Sequence, residues 1–123
     1  MSDVAVILFG HGARDPGWAG PMKRIREHML AQPGAPRVEL AFLEFMQPTL
    51  ADAIAALAGA GMRRIAIVPV FLAQNGHLKR DLPVLLDAAR AAHPECEITL
   101  AVAAGEAEGV IAAMAEYARS CAA

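Results

Sequence analysis

Four short runs rich in β-branched and aliphatic residues, Val4–Phe9, Val38–Leu43, Ile65–Phe71 and Glu97–Val102, each precede a stretch whose apolar residues recur at helical spacing. Parallel neighbours in a sheet need a crossover of a dozen or more residues between them, usually a helix. Strand and helix alternating four times therefore imply an α/β fold. The expected architecture is a three-layer α/β/α sandwich around a four-stranded parallel sheet, with right-handed crossovers. Val4–Phe9 is apolar without interruption, as a strand covered on both faces should be. At 123 residues the chain has the size of one domain, residues 1–123, with no linker, repeat or low-complexity segment.

The helices carry their own punctuation. Pro21 suits the first turn of the first helix, whose apolar positions are Met22, Ile25, Met29 and Leu30, and Pro33-Gly34 follows it. Thr49 with Asp52 three residues on resembles a capping box for the second helix, striped by Leu50, Ile54 and Leu57 and stopped by Gly59 and Gly61. The third is expected to start at Asp81 as N-cap with Pro83 in its first turn. It turns Leu82, Leu85, Leu86 and Ala89 inward, leaves Asp87 and Arg90 as an exposed pair, and closes at His93-Pro94. After a small loop at Ala103–Gly105, the last helix directs Val110, Met114 and Tyr117 toward the core.

Composition narrows the function classes. Eleven basic against 13 acidic residues give a net charge of -2, no electrostatic footprint for nucleic acid or an anionic membrane. Aromatic residues are only 5% of the chain, which leaves few base-stacking surfaces. Cys96 and Cys121 lack both C-x-x-C spacing and a dense framework, so both are read as reduced. The apolar run Val4–Phe9 is too short for a signal peptide or a membrane span, and a cytoplasmic protein is expected.

Chemistry concentrates after two of the strands. Gly10-His11-Gly12 follows the first, and Gly76-His77 follows the third, in a short loop where Asn75 tolerates turn conformations. With the sheet order 2-1-3-4, the first and third strands are neighbours at the point where the winding reverses, and ligands bind beyond the carboxyl ends there. His11 and His77 would then face one another across one crevice. Two neutral imidazoles suit Fe, Co, Ni, Cu or Zn, and leave most coordination positions open. Glu44, after the second strand, is either a polar residue where the strand surfaces or a group that orients a histidine, ligates or accepts a proton. Arg14, Lys79 and Arg80 surround the histidine loops, as solvated charges or as receivers of an anionic substrate. His28 and His93 occupy helical or helix-end positions and read as surface residues.

Other motifs fail. Gly10-His11-Gly12 lacks the third glycine of a dinucleotide fingerprint, there is no phosphate loop, and no Ser or Cys sits on a nucleophile elbow. No organic cofactor is expected.

Three segments together carry a resemblance: Val6-Ile7-Leu8-Phe9-Gly10-His11-Gly12-Ala13-Arg14-Asp15-Pro16, then Ala41-Phe42-Leu43-Glu44 with Gln47-Pro48-Thr49, then Pro69-Val70-Phe71-Leu72 leading to Gly76-His77 and Asp81-Leu82-Pro83. In this order they resemble the small single-domain CbiX-type chelatases, the sirohydrochlorin cobaltochelatase and ferrochelatase family, across almost the whole chain. Ala73 to Asn75 depart from the Ser and Gly often found there in the family. The resemblance implies a chelatase-like fold, and His11 and His77 as ligands of a divalent metal that is inserted into a tetrapyrrole. It also implies a homodimer equivalent to the two similar halves of larger chelatases. The expected activity is insertion of cobalt, or of iron or nickel, into sirohydrochlorin or a relative, with His11, His77 and Glu44 catalytic and Arg14, Lys79 and Arg80 on the substrate's carboxylates. The alternatives are a non-catalytic metal or tetrapyrrole carrier, and a hydrolase using a histidine-bound metal to activate water.

Overall fold

The computed structural model describes residues 3–74 and 76–123, with His77 described by its backbone alone; Asn75 lies outside the described residues. Four strands, β1 (Val4–Gly10), β2 (Arg37–Phe42), β3 (Arg64–Pro69) and β4 (Glu97–Leu100), form one parallel sheet in the order β2-β1-β3-β4. This is the expected order. In register, Leu8 pairs with Leu40 on one side and Val68 on the other, and Ile67 pairs with Leu100. Helices α1 (Gly20–Leu30), α2 (Leu50–Gly59), α3 (Gly76–Ala92) and α4 (Glu108–Ser120) follow the strands in turn.

Alternation along the strands divides the core in two. Ala5, Ile7, Phe9, Ile65, Ile67 and Ile98 point to one face, where Leu50, Ile54 and Leu57 of α2 and Leu78, Leu82 and Leu86 of α3 cover them. On the other face α1 presses Met22 against Leu8, Val38, Leu40 and Phe42. Burying each such aliphatic side chain contributes about 1.5–3 kcal/mol, so the larger cluster dominates the stability of the sheet. No polar or charged side chain is buried among the described residues.

Local chemistry explains the ends of these elements. Asp15 Oδ1 accepts from Gly17 N at 3.0 Å and caps a 3-10 turn, Pro16–Ala19, that runs into α1 and that the sequence reading does not include. Thr49 Oγ1 accepts from Asp52 N at 3.2 Å, the expected cap of α2. Past α2, Gly61 adopts φ +90°, a conformation open to glycine, and turns the chain toward β3. Arg90 reaches Asp87 at 3.5 Å as expected, and its guanidinium also donates to the Ile98 carbonyl at 2.9 and 3.1 Å, fastening α3 to β4.

Four expectations are corrected. Helix α3 begins at Gly76 rather than Asp81, so His77 stands in its first turn, not in a loop, and Pro83 lies inside the helix. The reason is Leu78: it is buried one turn ahead of Leu82 and extends the stripe that Leu86 and Ala89 continue, which offsets the hydrogen bond lost at Pro83. The segment after β4 is a 3-10 turn, Ala104–Glu106, and the third and fourth strands are shorter than read, ending at Pro69 and Leu100. Finally, α4 buries none of its residues, and Val110, Met114 and Tyr117 face solvent.

The cap at Thr49 gives a stability prediction. Thr49→Ala should lower unfolding free energy by about 1 kcal/mol. In urea titrations the midpoint falls while the slope stays constant; an unchanged midpoint contradicts the capping role.

Candidate metal and substrate site

His11 is the first residue beyond β1, and the sheet's own ladder fixes it. Leu43 N donates to the Gly10 carbonyl at 2.9 Å, closing the last pair of β1 and β2, and Glu44 N donates to the His11 carbonyl at 3.0 Å, one bond beyond it. Gly12 lies at φ +85°, and a Cβ built on it would stand 1.8 Å from the Glu44 carbonyl oxygen. Only glycine fits so close a crossing of two loops. The half-buried His11 ring packs on Phe71, with centroids 4.4 Å apart and planes tilted by 34°. Phe71 in turn meets Phe9, centroids 5.8 Å apart, which ties the imidazole to the core.

The second histidine comes from the neighbouring strand. β1 and β3 pair side by side, with Phe9 opposite Pro69, and Val70 N donates to the Phe9 carbonyl at 2.8 Å. The segment from Pro69 to Gly76 therefore leaves the same edge of the sheet as the His11 loop. His77 follows in the first turn of α3; its side chain lies outside the described residues. Among the described residues no three His, Cys, Asp or Glu side chains converge. The Glu44 backbone is bound to His11, and its carboxylate is exposed. His28 is exposed on α1, and His93, just past α3, lies 3.8 Å from Glu95.

The charges sort into two places. Lys79 and Arg80 are exposed on the first turns of α3. The Arg14 guanidinium lies over the Phe45 ring, 4.8 Å from its centroid, a cation–π contact. Phe45 holds φ +65°, a strained conformation for an aromatic residue. Together they edge a groove of about 480 Å³ between the β2 loop and α1, whose lining adds Lys23 and Arg26 to Arg14, over Leu40, Phe42 and Met46. Three cations meet one acid there, Glu39, so the groove suits an anionic group on an apolar frame. The sequence reading missed Lys23 and Arg26 because their i, i+3 spacing looks like any solvated helix face. It also gave Phe71 no role at His11.

A family model described as CbiX matches residues 5–121. The sirohydrochlorin cobaltochelatase of Methanopyrus kandleri is 40% identical over 83 residues, 68% of this chain and 58% of its own length. The chain thus spans less than two thirds of that curated relative. Among solved structures, a CbiX protein of Marinobacter aquaeolei VT8 assigned to cobalamin (vitamin B12) biosynthesis superposes with a TM-score of 0.81 at 25% identity, covering 95% of each chain. The sirohydrochlorin chelatase SirB of Bacillus subtilis subspecies spizizenii, in complex with cobalt, gives a TM-score of 0.72 at 29% identity, covering 85% of this chain and 44% of that one.

The crossing at Gly12 can be tested. Gly12→Ala should destabilise the protein by at least about 1–2 kcal/mol from the left-handed backbone alone. Gly59→Ala, at a helix end with open space around it, should leave stability equal or raised by about 0.5–1 kcal/mol. Thermal denaturation of the two variants side by side decides whether the crossing carries the strain assigned to it.

Proposed function

This chain belongs to the CbiX family, and we propose that residues 1–123 act as one chelatase domain that inserts a divalent metal ion into sirohydrochlorin or a related tetrapyrrole. Cobalt is the first candidate, with iron and nickel as competitors for the same site. The observation that carries this reading is the origin of the two histidine segments from adjacent parallel strands at one sheet edge, in a chain matched by the CbiX model from residue 5 to 121. The names of the Methanopyrus and Bacillus relatives support the substrate and the metal. We place the activity in the cytoplasm, with the chain as a homodimer. Among the described residues no helix is long and apolar enough to cross a membrane.

In this reading His11 and His77 hold the ion through imidazole nitrogens and leave its other positions to water and then to the macrocycle. Weak holding suits transfer, because a closed four-ligand site would retain the metal. The packing of His11 on Phe71 limits the swing of its ring and presents the nitrogen lone pair in a narrow range of directions. As the macrocycle's nitrogens replace the protein ligands, two protons leave the pyrroles, and the released imidazoles or Glu44 accept them. The substrate's carboxylates meet Arg14 on one side and Lys79 and Arg80 on the other. The first turn of α3 adds the partial positive charge of a helix N-terminus, which favours the same anions.

Anaerobic assays with trace protein, excess sirohydrochlorin and Co(II) should convert many equivalents per chain. His11→Ala and His77→Ala should each reduce the rate by on the order of 100-fold or more, with unchanged circular dichroism. Loading of one equivalent without turnover makes the protein a carrier instead. Rates no faster than buffer with Co(II), Fe(II) and Ni(II) sink the proposal.

The groove gives a separate expectation. Arg14→Ala combined with Arg26→Ala should raise KM for sirohydrochlorin about fivefold to tenfold with kcat little changed, the pattern of lost uniform binding. A fall in kcat at constant KM rules out a role in holding carboxylates.

A further inference from the structure

The four strands are parallel, so the loops that follow them leave the sheet at one carboxyl edge. Among the described residues, two glycines mark where these loops touch backbone to backbone. One is Gly12, crossing the Glu44 carbonyl between the loops after β1 and β2. The other is Gly105, between the loops after β3 and β4. Gly105 N donates to the Phe71 carbonyl at 2.8 Å, and a Cβ on Gly105 would stand 2.3 Å from both the Cα and the carbonyl oxygen of Leu72. Gly12, Gly34 and Gly61 hold positive φ, but Gly105 does not. Glycine is needed at 105 for space, not for backbone conformation.

The two sides of this contact differ in firmness. The turn is seated: Ala103 is buried, Ala101 N donates to the Ile67 carbonyl at 2.9 Å, and Glu106 N and Ala107 N close the turn on the Ala103 and Ala104 carbonyls at 2.8 and 3.1 Å. The segment after β3 is softer, since Leu72 and Ala73 are exposed once the chain has passed Phe71. Two bonds tie that segment down. Val70 N holds it toward β1 through the Phe9 carbonyl, and Gly105 N holds it toward β4 through the Phe71 carbonyl. Phe71 sits at the second tie with its ring 4.4 Å from that of His11, and the same segment runs on to His77. Gly105 is thus linked to His11 through a single residue, which it holds by the carbonyl while the ring packs on the imidazole.

We propose that Gly105 is a positioning residue for the metal site: the turn after β4 braces the β3 loop and sets where the Phe71 ring holds His11. A methyl added at 105 meets backbone, and ordinary contact begins at about 3.4 Å, so loop and turn must part by about 1 Å. Gly10 supplies the contrast, because a Cβ there meets the flexible end of the Met22 side chain, which can swing aside. Gly105 has no such outlet. Either Phe71 shifts with Leu72 or it loses its bond to Gly105, and in both cases the imidazole loses its fixed stop. A displacement of about 1 Å remote from the reacting atoms can cost a reaction on the order of 100-fold. As a contribution to rate, the brace rests on the chelatase activity proposed above; as the contact that orients His11, it rests on the geometry alone.

Gly105→Ala in the full chain tests it, beside Gly109→Ala, the same change at a glycine with open space around it. The first readout needs neither metal nor substrate. The ring protons of His11, identified by their absence from the NMR spectrum of His11→Ala, sense the ring current of Phe71. At one alkaline pH these signals should move in Gly105→Ala toward those of an imidazole without an aromatic neighbour, and stay in place in Gly109→Ala. The second readout is turnover of sirohydrochlorin with Co(II). Gly105→Ala should lower kcat about tenfold to 100-fold with KM within about twofold, while Gly109→Ala matches the unaltered chain. Unchanged His11 signals in a folded Gly105→Ala chain overturn the brace, as does an equal movement in Gly109→Ala, or a lowered melting temperature with kcat intact. If Gly105→Ala does not fold, Ala103→Gly, which unseats the turn by one buried methyl, should move the same signals in the same direction; signals that stay in place overturn the brace. An unaltered chain that turns over no sirohydrochlorin sinks the chelatase reading, and the His11 signals still decide the brace.

Discussion

The hydrogen bonding between β1 and β2 carries on from the last pair of the sheet, Gly10 with Phe42, to one further bond at His11, and the candidate site depends on it. Gly10 and His11 offer their carbonyls to Leu43 and Glu44 as though the strands had not ended. The loop holding His11 is therefore as ordered as a strand, although it lies where a ligand can reach it. The arrangement is possible only because Gly12 has no side chain to collide with the Glu44 carbonyl. Phe9 and Phe71 then carry the constraint inward, from the imidazole to the buried aliphatic cluster. A side chain held in this manner is preorganised by the core itself, and the cost of ordering it is met when the protein folds.

Such a site differs from a structural metal centre in what it withholds. Histidines that follow adjacent parallel strands could supply two ligands, and among the described residues no three His, Cys, Asp or Glu side chains converge. If the ion is to be handed on, as proposed, a small ligand set would suit the transfer. On that proposal the protein would orient the ion without competing with four macrocycle nitrogens for it. In the same proposal the substrate's periphery would meet the charges around the site, Arg14 with Lys23 and Arg26 on the α1 side and Lys79 with Arg80 on the α3 side.

Much of this was legible in the sequence, because the informative signals were periodic or local. The four apolar runs gave the strands, their order was expected by analogy with doubly wound sheets, and Thr49 with Asp52 marked a cap by spacing alone. The errors arose where two local signals competed. Asp81 and Pro83 looked like a helix start, but burial of Leu78 outweighed them and drew the helix back to Gly76. Tertiary contacts left no local trace: nothing in Lys23 or Arg26 marks them as neighbours of Arg14, and Phe71 looked like any core aromatic until its ring met His11.

Helix α4 marks a different boundary of what sequence can specify. Its stripe of Val110, Ile111, Met114 and Tyr117 states that the face must be covered, and the half-buried Val68 and Val70 state that a helix is wanted over β3. Both statements hold whether the two surfaces belong to one molecule or to two, because the contacts have the same chemistry in either case. What separates the cases is the connection between them. Held by Gly105 against Leu72, that connection turns the helix away from the body of its own chain. A glycine required by a close approach thereby sets the direction of an entire helix and leaves its apolar stripe facing solvent.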